Sequence, residues 1–212
     1  MSGVSDARDS HYFDAEPSVT SRVMRYTIDG PLSPISVESD SGVFSHGSLD
    51  KATALLLERI ADVLVDLPDG DLMDLGCGAG PIALVLAQLF PGRTVWAVDT
   101  NTRALELTSR NAAANNLPNI RAVVPSDVPG DARIAGIVSN PPIRIGKRDL
   151  HAMLGHWFSR VRDGGRALMV VGRHLGADSL QKWLGDQGWP TDRVGSSKGF
   201  RLLLTLFTGA VG

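Results

Sequence analysis

The sequence predicts an open, doubly wound α/β sheet preceded by a short β extension, and three observations carry that prediction. From Asp71 onward, apolar runs of strand length alternate with amphipathic runs of helix length. The strand-like runs are almost wholly apolar, as in "IAGIV" and "LLLTLF", which suits strands covered by helices on both faces. The chain has 212 residues, enough for one domain with a full core.

The elements follow in order. Arg22–Gly30 and Ile35–Asp40 alternate as two short strands around the turn-rich "DGPLSP". Leu49, Leu56, Ile60, Val63 and Leu67 then recur at helical spacing, with Ser48 as the expected N-cap and Pro68 and Gly70 as the stop. "DLMDLG" reads as a strand and "PIALVLAQLF" as a helix. "RTVWAVD" is a strand and "TRALELTSRNAAANN" a helix. "NIRAVV" and "ARIAGIVSN" are strands, and "KRDLHAMLGHWFSRV" is a helix. "RALMVVG", "DSLQKWLGDQG" and "FRLLLTLF" close the chain as strand, helix and strand. Trp157, Phe158 and Trp183 are expected in the core, with His151 and His156 on the surface. Residues 1–10 read as a flexible tail and 11–212 as one domain, within which 11–48 is the β extension.

Composition removes several classes of function. Lys and Arg number 21 against 23 Asp and Glu, a net charge of −2, so no globally basic nucleic-acid binder is expected, although a local basic patch is compatible. Cys77 is the single cysteine, which excludes an intramolecular disulfide and a zinc site built on cysteines. The N-terminus has no apolar signal core, and no apolar run reaches membrane-spanning length. The expectation is a cytoplasmic protein with no metal and no membrane partner.

In a doubly wound sheet, ligands bind beyond the carboxyl ends of the strands, so chemistry-bearing residues should follow strands. After "DLMDLG" comes Asp74-x-Gly76-x-Gly78-x-Gly80-Pro81. The glycines permit a tight turn and close approach to a ligand, and Pro81 suits the first turn of a helix. The spacing is not that of a dinucleotide fingerprint, which speaks against a nicotinamide dehydrogenase. Asp74 would repel a pyrophosphate and welcome a cationic group. Asp99 ends the next strand, where an acid binds ribose hydroxyls or caps a helix, the capping falling to Thr100 or Asn101 if Asp99 does the former. Asp127 follows the third strand, as an acceptor for an amine or as a turn residue.

These three acids and the glycine loop together resemble the adenosylmethionine site of class I methyltransferases. The resemblance implies that Asp74, Gly76, Cys77, Gly78 and Gly80 hold the amino-acid part of S-adenosyl-L-methionine. It implies the ribose at Asp99 with Thr100 and Asn101, and the adenine at Ser126 and Asp127. Cys77 is then a small loop residue beside the cofactor.

"SNPPIRIGK" follows the fourth strand. Asn140-Pro141-Pro142 resembles the proline-proline motif of amino-methylating enzymes in the same superfamily, although Ile143 stands where those have an aromatic residue. An exocyclic amine attacks in line once its lone pair is freed, and two acceptors taking its two N–H groups do this. Asn140 Oδ1 offers one acceptor and the Pro141 carbonyl the other, while the prolines keep the turn extended. Asn140, Pro141 and Pro142 are thus the expected catalytic residues. Phe44, Ile143, Arg144 and Lys147 are the expected substrate contacts, with His46 as another possible face for a base. Arg148 is expected beside Arg144 and Lys147 at the mouth of the site, and Arg173, Lys198 and Arg201 as an extension of the basic patch. Cations at a helix N-terminus oppose its dipole, which favours a functional reason for Lys147 and Arg148.

The stretches "DSGVFSHGSLDKATALLL", "SNPPIRIGKRDLH" and "KGFRLLL" resemble the small-domain methyltransferase family, which includes ribosomal RNA guanine-N2 methyltransferases. Ribosomal members commonly carry a second, degenerate copy of the domain, and this sequence carries one copy. The resemblance implies a Rossmann-like methyltransferase sheet, mostly parallel with an antiparallel last strand. It also implies N-methylation of a nucleobase amine in RNA, guanine N2 ahead of adenine N6. The alternatives are a methyltransferase for a protein amide or small-molecule amine, and a non-catalytic adenosylmethionine-binding subunit.

Overall fold

The computed structural model describes residues 23–40 and 48–208. The tail and the expected contacts Phe44 and His46 lie outside the described residues. Strands β1 (Val23–Ile28) and β2 (Ile35–Asp40) form an antiparallel hairpin. Among the described residues, seven strands form the main sheet: β3 (Asp71–Leu75), β4 (Val95–Val98), β5 (Ile120–Val123), β6 (Ile134–Ser139), β7 (Val161–Gly172), β8 (Thr191–Ser197) and β9 (Phe200–Leu206). Their order is β5-β4-β3-β6-β7-β9-β8, and β9 alone runs antiparallel to its neighbours. This is a Rossmann-like sheet, mostly parallel with an antiparallel last strand, as the resemblance implied. Helices α1 (Lys51–Val63), α2 (Pro81–Leu89), α3 (Thr102–Ala114), α4 (Lys147–Phe158) and α5 (Ala177–Asp186) connect and cover the strands.

Strand periodicity divides the core. Leu72, Val95, Ala97, Val138, Leu168, Val170 and Leu202 point to the face covered by α1, α2 and α3. Met73, Val98, Ile137, Ala167, Met169, Val171 and Leu203 point to the face covered by α4 and α5. Adjacent residues thus enter opposite cores, which is why the strands are apolar throughout.

Four expectations are corrected. Asp50, not Ser48, caps α1: its Oδ1 accepts from the N–H groups of Ala52 (2.8 Å) and Thr53 (3.2 Å). The helix ends at Val63, and Leu67 reaches the core from the following loop. Strand β8, "TDRVGSS", was not expected, because it is a polar edge strand whose only large aliphatic residue is Val194. Trp183 is half-buried rather than core: it stacks on the half-buried His151 with ring centroids 3.7 Å apart. Each ring covers one face of the other, so neither is a free surface group.

The hairpin docks on α3 through side chains. Asn111 Oδ1 accepts from Glu38 N–H and its Nδ2 donates to Glu38 C=O, both at 2.8 Å. Asn115 does the same with Ser36, at 3.0 and 2.8 Å. Four helix residues rise about 6.0 Å and two strand residues about 6.6 Å, so the amides at i and i+4 match alternate peptides of β2. Arg103 on α3 also pairs with Asp40 at 2.9 Å.

Candidate active site

The strand order reverses direction around β3, placing a crevice at the carboxyl ends of β3 and β6. The glycine loop fills one wall. Gly76, Gly78 and Gly80 have φ of 79°, 56° and 82°, a region costly for residues with a Cβ. Gly76 N–H and Cys77 N–H both donate to Val98 C=O, at 2.8 and 3.1 Å, tying the loop to the end of β4. From behind, Thr108 Oγ1 donates to Gly78 C=O (2.9 Å) and Asn111 Nδ2 to Ala79 C=O (2.8 Å). A Cβ on Gly80 would lie 2.8 Å from Thr108. Thr108 and Asn111 were not singled out in the sequence, because a helix residue that braces a distant loop carries no local signal. Cys77 is buried, and burial first, then the charges of Asp74 and Asp99, push its thiol well above its usual range. It is not set up as a nucleophile.

The three acids occupy successive strand ends but differing environments. Asp74 is 0% exposed. Its Oδ2 accepts from Ala83 N–H in the first turn of α2 (2.9 Å), and its Oδ1 is buried without a partner. Burial pushes its carboxyl up to about 8, opposed by the Ala83 N–H and reinforced by Asp99. Asp99 is half-buried, accepting from Gly78 N–H through Oδ2 (3.0 Å) and from Asn101 N–H through Oδ1 (2.9 Å). Asn101 itself caps α3 by accepting from Arg103 N–H at 3.0 Å, which leaves Asp99 directed at the crevice loop. Thr100 is exposed beside it. Ser126 and Asp127 lie exposed in a short 3₁₀ turn after β5, with Ser126 Oγ donating to Asp127 at 3.0 Å.

Asn140, Pro141 and Pro142 leave β6 directly across from the loop. Ser139 Oγ donates to Leu75 C=O at 2.6 Å, locking the two strand ends together. Pro142 Cδ lies 3.5 Å from the position a Cβ of Gly76 would take, so the proline wall and the glycine loop are packed neighbours. Pro142 has φ −73° and ψ 75° and is the centre of an inverse γ-turn closed by Ile143 N–H donating to Pro141 C=O at 2.8 Å. The Pro141 carbonyl, expected to be open, therefore has one of its two lone pairs taken. Asn140 Nδ2 donates to Thr53 Oγ1 (3.1 Å) and lies 3.4 Å from Asp50 Oδ2.

The substrate side is exposed. Ile143 is half-buried against the α4 face, while Arg144, Ile145 and Lys147 face solvent. Arg173 N–H donates to Gly199 C=O at 2.8 Å, which brings the exposed Arg173 and Lys198 to the same rim. Arg201 does not join the patch, since it is largely buried and paired with Asp178. Arg148 pairs with Asp149 at 3.1 Å. Among the described residues, no cluster of three or more His, Cys, Asp or Glu is placed to hold a metal, and no helix is long and apolar enough to cross a membrane.

Comparison with known proteins agrees with this geometry. The family model "Methyltransferase small domain" matches residues 34–203. The uncharacterized protein YbxB of Bacillus subtilis (strain 168) is 32% identical over 91% of this chain and 96% of its own length. The ribosomal RNA small subunit methyltransferase C of Ectopseudomonas mendocina is 33% identical over 89% of this chain but only 56% of that protein. The 16S rRNA N2 G1207 methyltransferase of T. thermophilus, solved with AdoMet and guanosine, superposes with a TM-score of 0.74 at 24% identity. That match covers 90% of this chain and 52% of the other, so this chain spans about half the length of its ribosomal relatives. The matched span and the seven-stranded order together place the chain in the methyltransferase small-domain family of S-adenosylmethionine-dependent methyltransferases.

Proposed function

We propose that this protein transfers a methyl group from S-adenosylmethionine to an exocyclic amine of a nucleobase in small-subunit ribosomal RNA, with guanine N2 as the target. The observation that carries the reading is the packing of the Asn140-Pro141-Pro142 turn against the Gly76 loop, which sets an acceptor-rich wall beside the cofactor loop. The residues fit the cofactor: the unpartnered, buried Asp74 Oδ1 suits a ligand ammonium, and the positive-φ glycines leave the space that side chains would fill. Each Asp99 oxygen accepts one backbone N–H and keeps a lone pair for a ribose hydroxyl. Thr100 and Asn101 would flank the ribose, and Ser126 and Asp127 would take the adenine edge.

When bound, S-adenosylmethionine supplies an activated methyl group on a cationic sulfur, so the protein's task is positioning. Asn140 Oδ1 accepts one N–H of the amine, and the remaining lone pair of the Pro141 carbonyl accepts the other. Both bonds draw the nitrogen lone pair out of the ring and hold it in line for attack. The amide of Asn140 does not titrate and is no base; the methylated nitrogen is acidic enough to lose its proton to water. Ile143 packs against the base, which is flipped out of any duplex at a cost of a few kcal/mol. Arg144 and Lys147 hold flanking phosphates without reading sequence.

The test is transfer of tritiated methyl to 30S subunits, free 16S RNA and protein extract, followed by digestion of labelled RNA to nucleosides. Label in N2-methylguanosine is expected. Label in protein alone would shift the reading to an amide acceptor, which the isoleucine at 143 favours over stacking on a base. Asn140→Ala is expected to lower kcat by about 100-fold or more with unchanged cofactor affinity. Loss of cofactor affinity in that variant would move Asn140 to the cofactor site.

A further inference from the structure

We infer that Asp50 and Thr53 are positioning residues that decide which end of the Asn140 amide faces the methyl acceptor, an inference that rests on the function just proposed. Helix α1 begins beside the proline wall, and its cap is built into the site. Asp50 Oδ1 is occupied by the N–H groups of Ala52 and Thr53. Asp50 Oδ2 receives the Thr53 hydroxyl. Thr53 is 4% exposed, so solvent does not offer its hydroxyl another partner. Asn140 Nδ2 then donates to Thr53 Oγ1 at 3.1 Å, with Asp50 Oδ2 at 3.4 Å.

The polarity of this chain of bonds leaves one solution. An ionised carboxylate only accepts. The Thr53 hydroxyl therefore spends its single proton on Asp50, and its oxygen can only accept from what lies on its other side. Of the two ends of the Asn140 amide, only the NH2 donates. The NH2 must turn toward Thr53, and Oδ1 must turn away from α1. A flipped amide would set Oδ1 against both Thr53 Oγ1 and the Asp50 carboxylate, oxygen against oxygen. A carboxylate whose first task is to cap a helix thereby fixes the orientation of an amide 90 residues away, and with it the acceptor that the substrate amine needs.

Three variants separate orientation from folding. Thr53→Val keeps the shape and removes the hydroxyl. Asp50→Asn keeps a good N-cap but can offer an NH2 to Thr53, which frees Asn140 to flip. Thr53→Ser restores the hydroxyl. With the full chain, Thr53→Val and Asp50→Asn should lower kcat by about 10- to 100-fold. Their thermal midpoints and their calorimetric affinity for S-adenosylmethionine should stay near those of the unmodified protein, and Thr53→Ser should recover most of the rate. Nuclear Overhauser contacts between the Asn140 Nδ2 protons and the Thr53 methyl, measured on the ligand-free protein, give a readout independent of turnover. Strong contacts are expected. Their absence, or full kcat in both Thr53→Val and Asp50→Asn, overturns the inference; a loss in Asp50→Asn alone leaves the orientation to the Asp50 carboxylate and supports it. Failure of the unmodified protein to methylate any acceptor overturns the proposed function instead, and the Overhauser contacts then decide the orientation alone.

Discussion

At the scale of single residues, Asp74 is held in an unusual state by its burial. A carboxyl held near 8 is neutral at pH 7, so the free protein stores a proton at the centre of its cofactor loop. A cationic ligand group arriving at the unpartnered Oδ1 favours the ionised form, so binding at pH 7 should release about one proton. Calorimetry in buffers of different ionisation enthalpy measures this release, which should vanish in Asp74→Asn. The same shift governs stability. The unfolded chain loses this proton near 3.8 and the folded chain near 8, so folding takes up a proton between those values. Stability from this group is present below about 4 and falls as pH rises toward 8. Asp74→Asn lacks that loss, so its melting temperature should gain on that of the unmodified protein between pH 5 and pH 8, while its cofactor affinity falls. An advantage that shrinks with rising pH would show that Asp74 is ionised at rest. The sequence disclosed an acid unsuited to pyrophosphate; its neutrality was hidden, because burial is set by α2 folding over the loop.

At the scale of elements, the glycine loop and the hairpin meet in one residue of α3. Asn111 holds both peptide groups of Glu38 and the carbonyl of Ala79, and it is 2% exposed. Asn111→Ala leaves three backbone groups to find other partners and should cost about 3 kcal/mol in urea denaturation. It should also weaken cofactor binding, since Ala79 is part of the loop. Asn115 makes the matching pair of bonds to Ser36 in a wetter place, and Asn115→Ala should cost about 1 kcal/mol with cofactor affinity unchanged. Equal effects would mean that the hairpin alone is at stake. The buried strands were readable because covered strands must be apolar. Strand β8 was not, since an edge strand needs only backbone partners. The α1 cap was placed two residues early because Ser48 and Asp50 both suit the position, and only geometry shows which oxygen reaches Ala52 and Thr53.

For the whole molecule, a net charge of −2 coexists with a cationic rim at the carboxyl edge of the sheet. Arg144, Lys147, Arg173 and Lys198 are exposed there, brought together from the loop after β6, the loop after β7 and the β8–β9 turn. If the proposed function holds, replacing Arg144 and Lys147 with Glu should weaken binding of the proposed RNA substrate and reduce the slope of log affinity against log salt by about one per lost contact. An unchanged slope would remove both residues from the RNA path. The alternation of runs disclosed the doubly wound class, and the loop motifs disclosed the site edge. Arg201 was miscounted in the rim because its pairing with Asp178 joins residues far apart in the chain.

The way β2 meets α3 has an evolutionary consequence. Asn111 and Asn115 grip main-chain peptides, which every residue except proline offers in full, so these bonds make no demand on the side chains of Glu38 and Ser36, although Glu38 also pairs with Arg110 of α3 at 3.3 Å. The docking is a socket for backbone. Sequence can therefore drift at the exposed Ser36, while the fully buried Ile35 and Val37 and the Asp40–Arg103 pair hold the rest of the strand against the sheet's helices. A lineage is thus free to vary this outward position of β2 while leaving α3, the loop and the proline wall untouched.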